Sequence, residues 1–69
     1  MEEIKITGEF IKLDQLLKLM GTAGTGGHAK ILIMEGEVKV NGEVATQRGK
    51  KIKPNDIVEV EGTTIKIVN

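Results

Sequence analysis

The residues of this chain with the clearest chemical potential are five cations that lie close together in its second half. They occupy a stretch of fifteen residues that contains a single anion, Glu43: Lys39, Arg48, Lys50, Lys51 and Lys53. The next eight residues carry three carboxylates and no cation, so a net charge of zero hides a local imbalance. Because local charge sets the field that a phosphate group meets, the run predicts a phosphate-binding surface. A solvated basic loop is the alternative.

A second candidate site is the segment over residues 21–27, which has four glycines in seven residues. If Thr25 caps a helix there, the free amides of Gly26 and Gly27 and the positive end of the helix dipole favour an anion. The segment is neither a P-loop nor a dinucleotide fingerprint, because no Gly-Lys-Ser/Thr and no Gly-x-Gly-x-x-Gly is present. A flexible turn between two helices is the alternative.

No residue is placed for catalysis or for metal binding. His28 falls at the third position of the second helix. We expect it to be an exposed helix residue unless a phosphate lies nearby. It has no paired nucleophile, and the chain contains no Cys. Asp14 is better placed to start a helix than to act as an acid. The sequence therefore predicts no catalytic site, no metal site and no cofactor.

Length and composition predict one domain over residues 1–69. Phe10 is the only aromatic residue, so the chain has no row of stacking platforms and should contact a nucleic acid through phosphates, sugars and shape. No apolar run approaches the roughly 18 residues of a membrane span, and no signal peptide is visible at the N-terminus. We therefore expect a cytoplasmic protein with no membrane contact. We also expect a monomer.

Two helices must position the candidate residues. Four apolar residues recur at i, i+3, i+4 and i+7 and share one face of the first: Leu13, Leu16, Leu17 and Met20. This helix is expected over residues 12–20, with Gly21 as its C-cap. The second is expected over residues 26–35, with Thr25 as its N-cap and Gly36 as its stop.

Alternating apolar and polar residues predict short strands around these helices. They fall at Ile4 and Ile6 and at residues 38–40, 57–60 and 65–68. Asn41-Gly42 is typical of a hairpin because both residues tolerate positive φ, and Val44 starts the return strand. Residues 48–53 are expected to form a polar connection anchored by Ile52.

These elements define an α+β fold, with two short N-terminal helices packed on a small, mostly antiparallel β-sheet. The first strand is expected to pair with the last and so to join the two ends of the chain. The expected core combines the apolar faces of the helices with residues of the strands: Leu13, Leu16, Leu17, Met20, Ala29, Leu32, Ile33, Val38, Val40, Ile57, Val58 and Val60.

The order of these features resembles the S4 (alpha-L) RNA-binding domain. The resemblance lies in Lys12-Leu13-Asp14 at the first helix, in Thr25 and Ala29 at the second, and in two β segments, Val38-Lys39-Val40-Asn41-Gly42 and Asp56-Ile57-Val58-Glu59-Val60. It covers residues 10–60. The short length and the Thr-Gly-Gly-His-Ala-Lys run at residues 25–30 are most similar to the small stand-alone bacterial YaaA-like branch.

The resemblance implies that the helix pair and the adjoining hairpin bind structured RNA, either ribosomal or transfer RNA, or a ribosomal complex. By position, Lys12 stands where the family usually has Arg, and Thr25 stands for its Ser. Gly26 stands where the family has a second Arg, so this chain lacks a cation there. Lys30 and Lys39 match positions that are often basic.

The predicted RNA-binding set joins these positions to the basic run and the glycine-rich loop: Lys12, Thr25, Gly26, Gly27, His28, Lys30, Lys39, Arg48, Lys50, Lys51 and Lys53. We expect the lysines and Arg48 to converge on one face around the two glycine amides. A small protein-interaction adaptor is the alternative. A β-grasp sulfur carrier shares the Val-Asn-Gly hairpin, but such carriers end in Gly-Gly, and this sequence ends in Ile-Val-Asn.

Overall fold

The two predicted helices are confirmed to within one residue at each end. The computed structural model describes residues 1–69, and neither helix is long and apolar enough to cross a bilayer. The elements follow one another in this order: β1 (Glu2–Lys5), β2 (Ile11–Lys12), α1 (Leu13–Leu19), α2 (Gly26–Met34), β3 (Val38–Val40), β4 (Glu43–Val44), β5 (Lys51–Ile52), β6 (Ile57–Val60) and β7 (Thr63–Val68).

The ends of the helices follow from their caps. Gly21 directly follows the C-cap of α1 and has a φ of 80°, a conformation that glycine adopts without strain. At the start of α2, Thr25 has an extended backbone, and its Oγ1 accepts a hydrogen bond of 3.1 Å from the backbone N–H of His28. Thr25 is therefore the N-cap that the sequence predicts.

Five strands form one mixed sheet in the order β1-β7-β6-β3-β4. The pairs β7–β6, β6–β3 and β3–β4 are antiparallel, whereas β1 pairs with β7 in parallel. Ile4 lies opposite Ile67 in that parallel pair, which confirms that the first strand joins the last. The remaining strands, β2 and β5, form a separate two-stranded ribbon.

One cluster of 16 buried apolar residues fills the space between the helices and the inner face of the sheet. Most of the expected core is confirmed, but Met20 and Ile57 are only partly buried. Ile57 directly precedes Val58 in β6, and consecutive strand residues point to opposite faces, so both could not enter the core. Six further residues belong to the core: Ile6, Ala23, Ala45, Ile52, Ile65 and Ile67.

Asn41 links the β3–β4 hairpin to the turn before β6. Its φ is 53°, as the hairpin pattern predicts. Its side-chain Oδ1 accepts a hydrogen bond of 2.9 Å from the N–H of Ile57, and its Nδ2 donates to Asp56 Oδ1 at 3.1 Å. The other carboxylate oxygen of Asp56 accepts from the N–H of Lys53 at 2.8 Å. Asn41 is therefore both a turn residue and a cross-link between two turns.

Replacing Asn41 by Gly tests this cross-link. Glycine tolerates the positive φ but loses both side-chain hydrogen bonds, so we expect the unfolding free energy to fall by about 1–3 kcal/mol. Asn55→Gly is the matched control, because Asn55 also has a positive φ, of 80°, and its side chain makes neither of these hydrogen bonds. Urea denaturation measures both variants, and equal losses would contradict the cross-link.

Candidate functional site

The ribbon of β2 and β5 lies at the centre of the candidate site. Ile11 pairs with Ile52, and Lys12 pairs with Lys51, in antiparallel register. The predicted polar connection over residues 48–53 therefore contains a strand, β5, which the sequence did not predict. The predicted anchor is confirmed, because Ile52 is fully buried and its burial brings the segment against β2.

Side-chain alternation gives the ribbon one apolar and one cationic face. Ile11 and Ile52 point toward the core, so Lys12 and Lys51 point outward. Continuing the register by one residue places Phe10 opposite Lys53. Phe10 and Lys51 are then diagonal neighbours, and the ammonium of Lys51 lies 4.8 Å from the centre of the Phe10 ring. We call the outward side chains of Phe10, Lys12, Lys51 and Lys53 the ribbon face.

Backbone hydrogen bonds fix the ribbon to the start of α1. The N–H of Leu13 donates to the carbonyl of Lys50 at 2.9 Å, and the N–H of Asp14 donates to that of Arg48 at 3.0 Å. The Asp14 carboxylate accepts from the N–H of Gln15 at 2.8 Å, as expected of a residue at a helix start. The first amides of α1 are therefore used within the protein, and Arg48 and Lys50 lie beside that helix end.

An open groove of about 540 Å³ adjoins the ribbon face. Lys50, Lys51 and Lys53 all line it, so we call it the basic groove. Glu43 and Asp56 line it as well, but both carboxylate oxygens of Asp56 already accept hydrogen bonds from Asn41 and from the Lys53 backbone. An anion that enters the groove therefore meets three ammonium groups and two carboxylates, so the charged lining is positive by one unit.

Lys39 does not join this cluster. Its neighbours Val38 and Val40 point into the core, so Lys39 points to the outer face of the sheet. It lies directly opposite Glu59 and lines a different groove, together with Glu37, Glu59 and Glu61. The expected convergence of all the cations on one face is therefore wrong for Lys39, because strand alternation places it among carboxylates.

The other predicted residues lie outside the lining of the basic groove. Arg48 is exposed in the turn before β5, and His28 and Lys30 are exposed on α2. Gly26 and Gly27 form the first turn of α2, and neither has a positive φ. A Cβ added to Gly26 meets nothing within 4 Å, and one added to Gly27 meets only the Thr25 hydroxyl at 3.8 Å. Neither the backbone conformation nor packing requires glycine at these two positions.

The ribbon and the place of Phe10 in it were not predicted from the sequence. The pattern that could have revealed them is short. It consists of two triplets, Phe10-Ile11-Lys12 and Lys51-Ile52-Lys53. In each triplet one isoleucine lies between two residues that can face solvent, which is the period-two pattern of a half-buried strand. Two matching triplets, nearly 40 residues apart, pair to form the site.

Two helices on a mixed five-stranded sheet, with a cationic ribbon at the start of the first helix, define a small α+β protein with an exposed cationic surface. A model of the S4 domain family matches residues 4–68. The chain therefore belongs to the S4 domain family, as the sequence resemblance predicts.

Two small bacterial proteins are similar over most of their length. The probable ribosome maturation protein RlbA of Bacillus subtilis is 43% identical over 67 residues, which cover 96% of this chain and 94% of the relative. The putative RNA-binding protein YbcJ of Escherichia coli is 41% identical over 58 residues, or 84% of this chain and 83% of the relative. The solution structure of YbcJ, described as an alpha-L motif involved in RNA binding, has a TM-score of 0.75 at 36% identity and covers the whole chain and 89% of YbcJ.

A larger relative shares only this part. Ribosomal large subunit pseudouridine synthase B of Bacillus subtilis is 39% identical over 56 residues, which are 78% of this chain but 23% of the synthase. Most of that enzyme has no counterpart in this chain.

The ribbon face makes a prediction about stability. Like charges directly opposite one another destabilise a strand pair by a few tenths to about 1 kcal/mol, so Lys12→Gln should stabilise the fold at low salt. Lys39→Gln is the matched control. It should destabilise the fold, because it removes the positive charge that lies opposite Glu59. Both differences should shrink in about 1 M salt, where the screening length is about 3 Å. Chemical denaturation at two salt concentrations measures them, and a destabilised Lys12→Gln would contradict the geometry.

Proposed function

We propose that this chain binds structured RNA through the ribbon face and the basic groove and catalyses no reaction on it. The observation that carries the proposal is the pairing of Lys12 with Lys51, which holds two like charges opposite each other beside Lys50 and Lys53. Repulsion between the two ammonium groups destabilises the protein when no RNA is bound. A phosphate that lies between them is attracted by both, which favours binding. We choose RNA among the polyanions because the chain belongs to the S4 domain family and because the names of its small relatives point to RNA and the ribosome.

Contacts of this type go mainly to phosphates. Lysine ammonium groups are compact point charges on flexible stems, so they neutralise phosphates without selecting a particular base. RNA binding by this chain should therefore depend strongly on salt and only weakly on sequence. The shape of the RNA, which places successive phosphates against the ribbon and the groove, supplies the preference for folded RNA.

The start of α2 adds a second anion contact to the proposal. The amides of Gly26 and Gly27 belong to the first turn of α2, which has no intrahelical acceptor for them, and glycine lets a phosphate approach the backbone. Glycine costs helix stability relative to alanine, about 1 kcal/mol per residue in a helix interior, and neither position needs it for packing. His28 and Lys30 are exposed on the same helix and supply further donors to this RNA.

The relatives suggest where this activity operates. RlbA is named as a probable ribosome maturation protein, so ribosomal RNA within a maturing ribosome is the proposed partner, with transfer RNA second. The chain would act in the cytoplasm as a monomer. The pseudouridine synthase that it resembles shares only about a quarter of its length with this chain, and this supports a binding role for the shared part.

The salt dependence of binding tests the proposal. If about four phosphates are neutralised, log affinity for a bulged RNA stem-loop should fall with log salt at a slope of roughly −3 to −4. The double variant Lys50→Ala/Lys51→Ala should bind more weakly and flatten the slope by up to about two. Fluorescence anisotropy of the labelled RNA measures both quantities, and circular dichroism checks that the variant remains folded.

The matched control is Lys39→Ala/Lys66→Ala, which removes two cations from β3 and β7 and none from the ribbon or the basic groove. We expect it to keep the affinity and slope of the unaltered chain. If the Lys50/Lys51 variant stays folded and also keeps both values, the basic run is a solvated segment. If the unaltered chain binds no RNA, the proposed function is wrong and an adaptor for a protein partner takes its place.

A further inference from the structure

Phe10 is the only aromatic residue of the chain, and it is 40% exposed. It lines a groove of about 480 Å³ that runs beside the ribbon toward the end of α1. Leu19, which is 59% exposed, lines the same groove, as does the partly buried Ile11. These side chains form an apolar floor that is open to solvent. The buried core lies directly beneath this floor.

Charge sets this groove apart from an ordinary apolar depression. Its charged lining residues are Lys5 and Lys12, and no carboxylate lines it. Gln15 adds an amide that can both donate to and accept from a flat polar edge. A partner must therefore combine an apolar surface with negative charge. An unpaired nucleotide does so, with a base that stacks and a phosphate that pairs with ammonium groups.

The groove is continuous with the proposed RNA-binding surface. Lys51 lines the basic groove and not this one, whereas Phe10 lines this groove and not the basic one. The contact between the Lys51 ammonium and the Phe10 ring therefore forms the boundary between the two. Phe10 is therefore within reach of an RNA strand bound along the lysines of the basic groove.

We propose that the groove formed by Phe10, Leu19 and Ile11 holds one unpaired base of the bound RNA, stacked on the Phe10 ring, while Lys12 and Lys51 hold the flanking phosphates. The inference rests on the proposed function and adds to it the class of RNA. Stems with a bulge, a loop or an open end should bind more tightly than perfect duplexes. Phosphate contacts alone make no such distinction, because a duplex offers them as well.

A single tryptophan tests the stacking directly. The chain contains no Trp and no Tyr, so Phe10→Trp puts its only indole into the groove. The two RNAs are a stem-loop with one bulged nucleotide and a blunt duplex of equal length. We expect the bulged RNA to quench the indole emission in a saturable way, and the duplex to leave it nearly unchanged when anisotropy shows that it is bound. Met34→Trp, at a position that is 70% exposed near the end of α2, is the control and should respond to neither RNA.

Affinities of two further variants complete the test. Phe10→Ala should weaken binding of the bulged RNA about 5- to 100-fold, as expected for one stacked base, and should weaken duplex binding much less, because a duplex offers no unpaired base. Phe10→Leu keeps apolar bulk for the fold but has no ring, so it should show most of the same loss. Circular dichroism checks the fold of each variant.

The possible outcomes separate this inference from the proposed function. If both RNAs bind with the salt dependence given above, but neither quenches Phe10→Trp and Phe10→Leu loses no affinity, the base-binding groove is wrong and the phosphate surface remains. If neither RNA binds the unaltered chain, both proposals are wrong. If both RNAs quench Phe10→Trp and Met34→Trp alike, the emission change is not local to the groove, and the stacking is contradicted.

Discussion

The pairing of Ile11 with Ile52 is the constraint on which both the core and the candidate site depend. The two residues are about forty positions apart, and one of them is fully buried. Once they face the core, alternation along each strand turns Lys12 and Lys51 outward together. The amides at the start of α1 then bond to the carbonyls of Lys50 and Arg48, so the helix and the basic segment form one unit. The apolar core therefore determines where the cations lie.

The ribbon face and the start of α2 favour the binding of phosphate at a cost in stability. The ribbon face carries three lysines and no carboxylate, and α2 begins with two glycines that packing does not need. Each feature costs the isolated protein some stability, and each becomes favourable next to a phosphate. By contrast, Lys39 and Glu59 pair opposite charges on the outer face of the sheet, where no such cost arises. The features that cost stability therefore lie on the surface that is proposed to contact RNA.

Short-range patterns predicted most of the fold. The helical spacing of Leu13, Leu16 and Leu17, the Thr25 cap and the Asn41-Gly42 hairpin all act between residues close in sequence, and all are confirmed. Membership of the S4 domain family is likewise confirmed. The site was harder to predict, because it depends on which distant strands pair. A polar run around one isoleucine resembles a loop until its partner is known, so β5 was missed. The same gap led to the error at Lys39, whose sequence neighbours gave no indication that it faces Glu59.

The proposed function requires RNA to contact both the ribbon and the start of α2. The most direct measurement is a titration of the ¹⁵N-labelled chain with a bulged RNA stem-loop, followed residue by residue through its amide resonances. The account predicts saturable shifts with a common midpoint at Lys12, Lys51 and Lys53 and at Gly26 and Gly27, with little change at Lys39 and Lys66 on the outer face of the sheet. Shifts concentrated on that outer face, or of equal size throughout the chain, would contradict it.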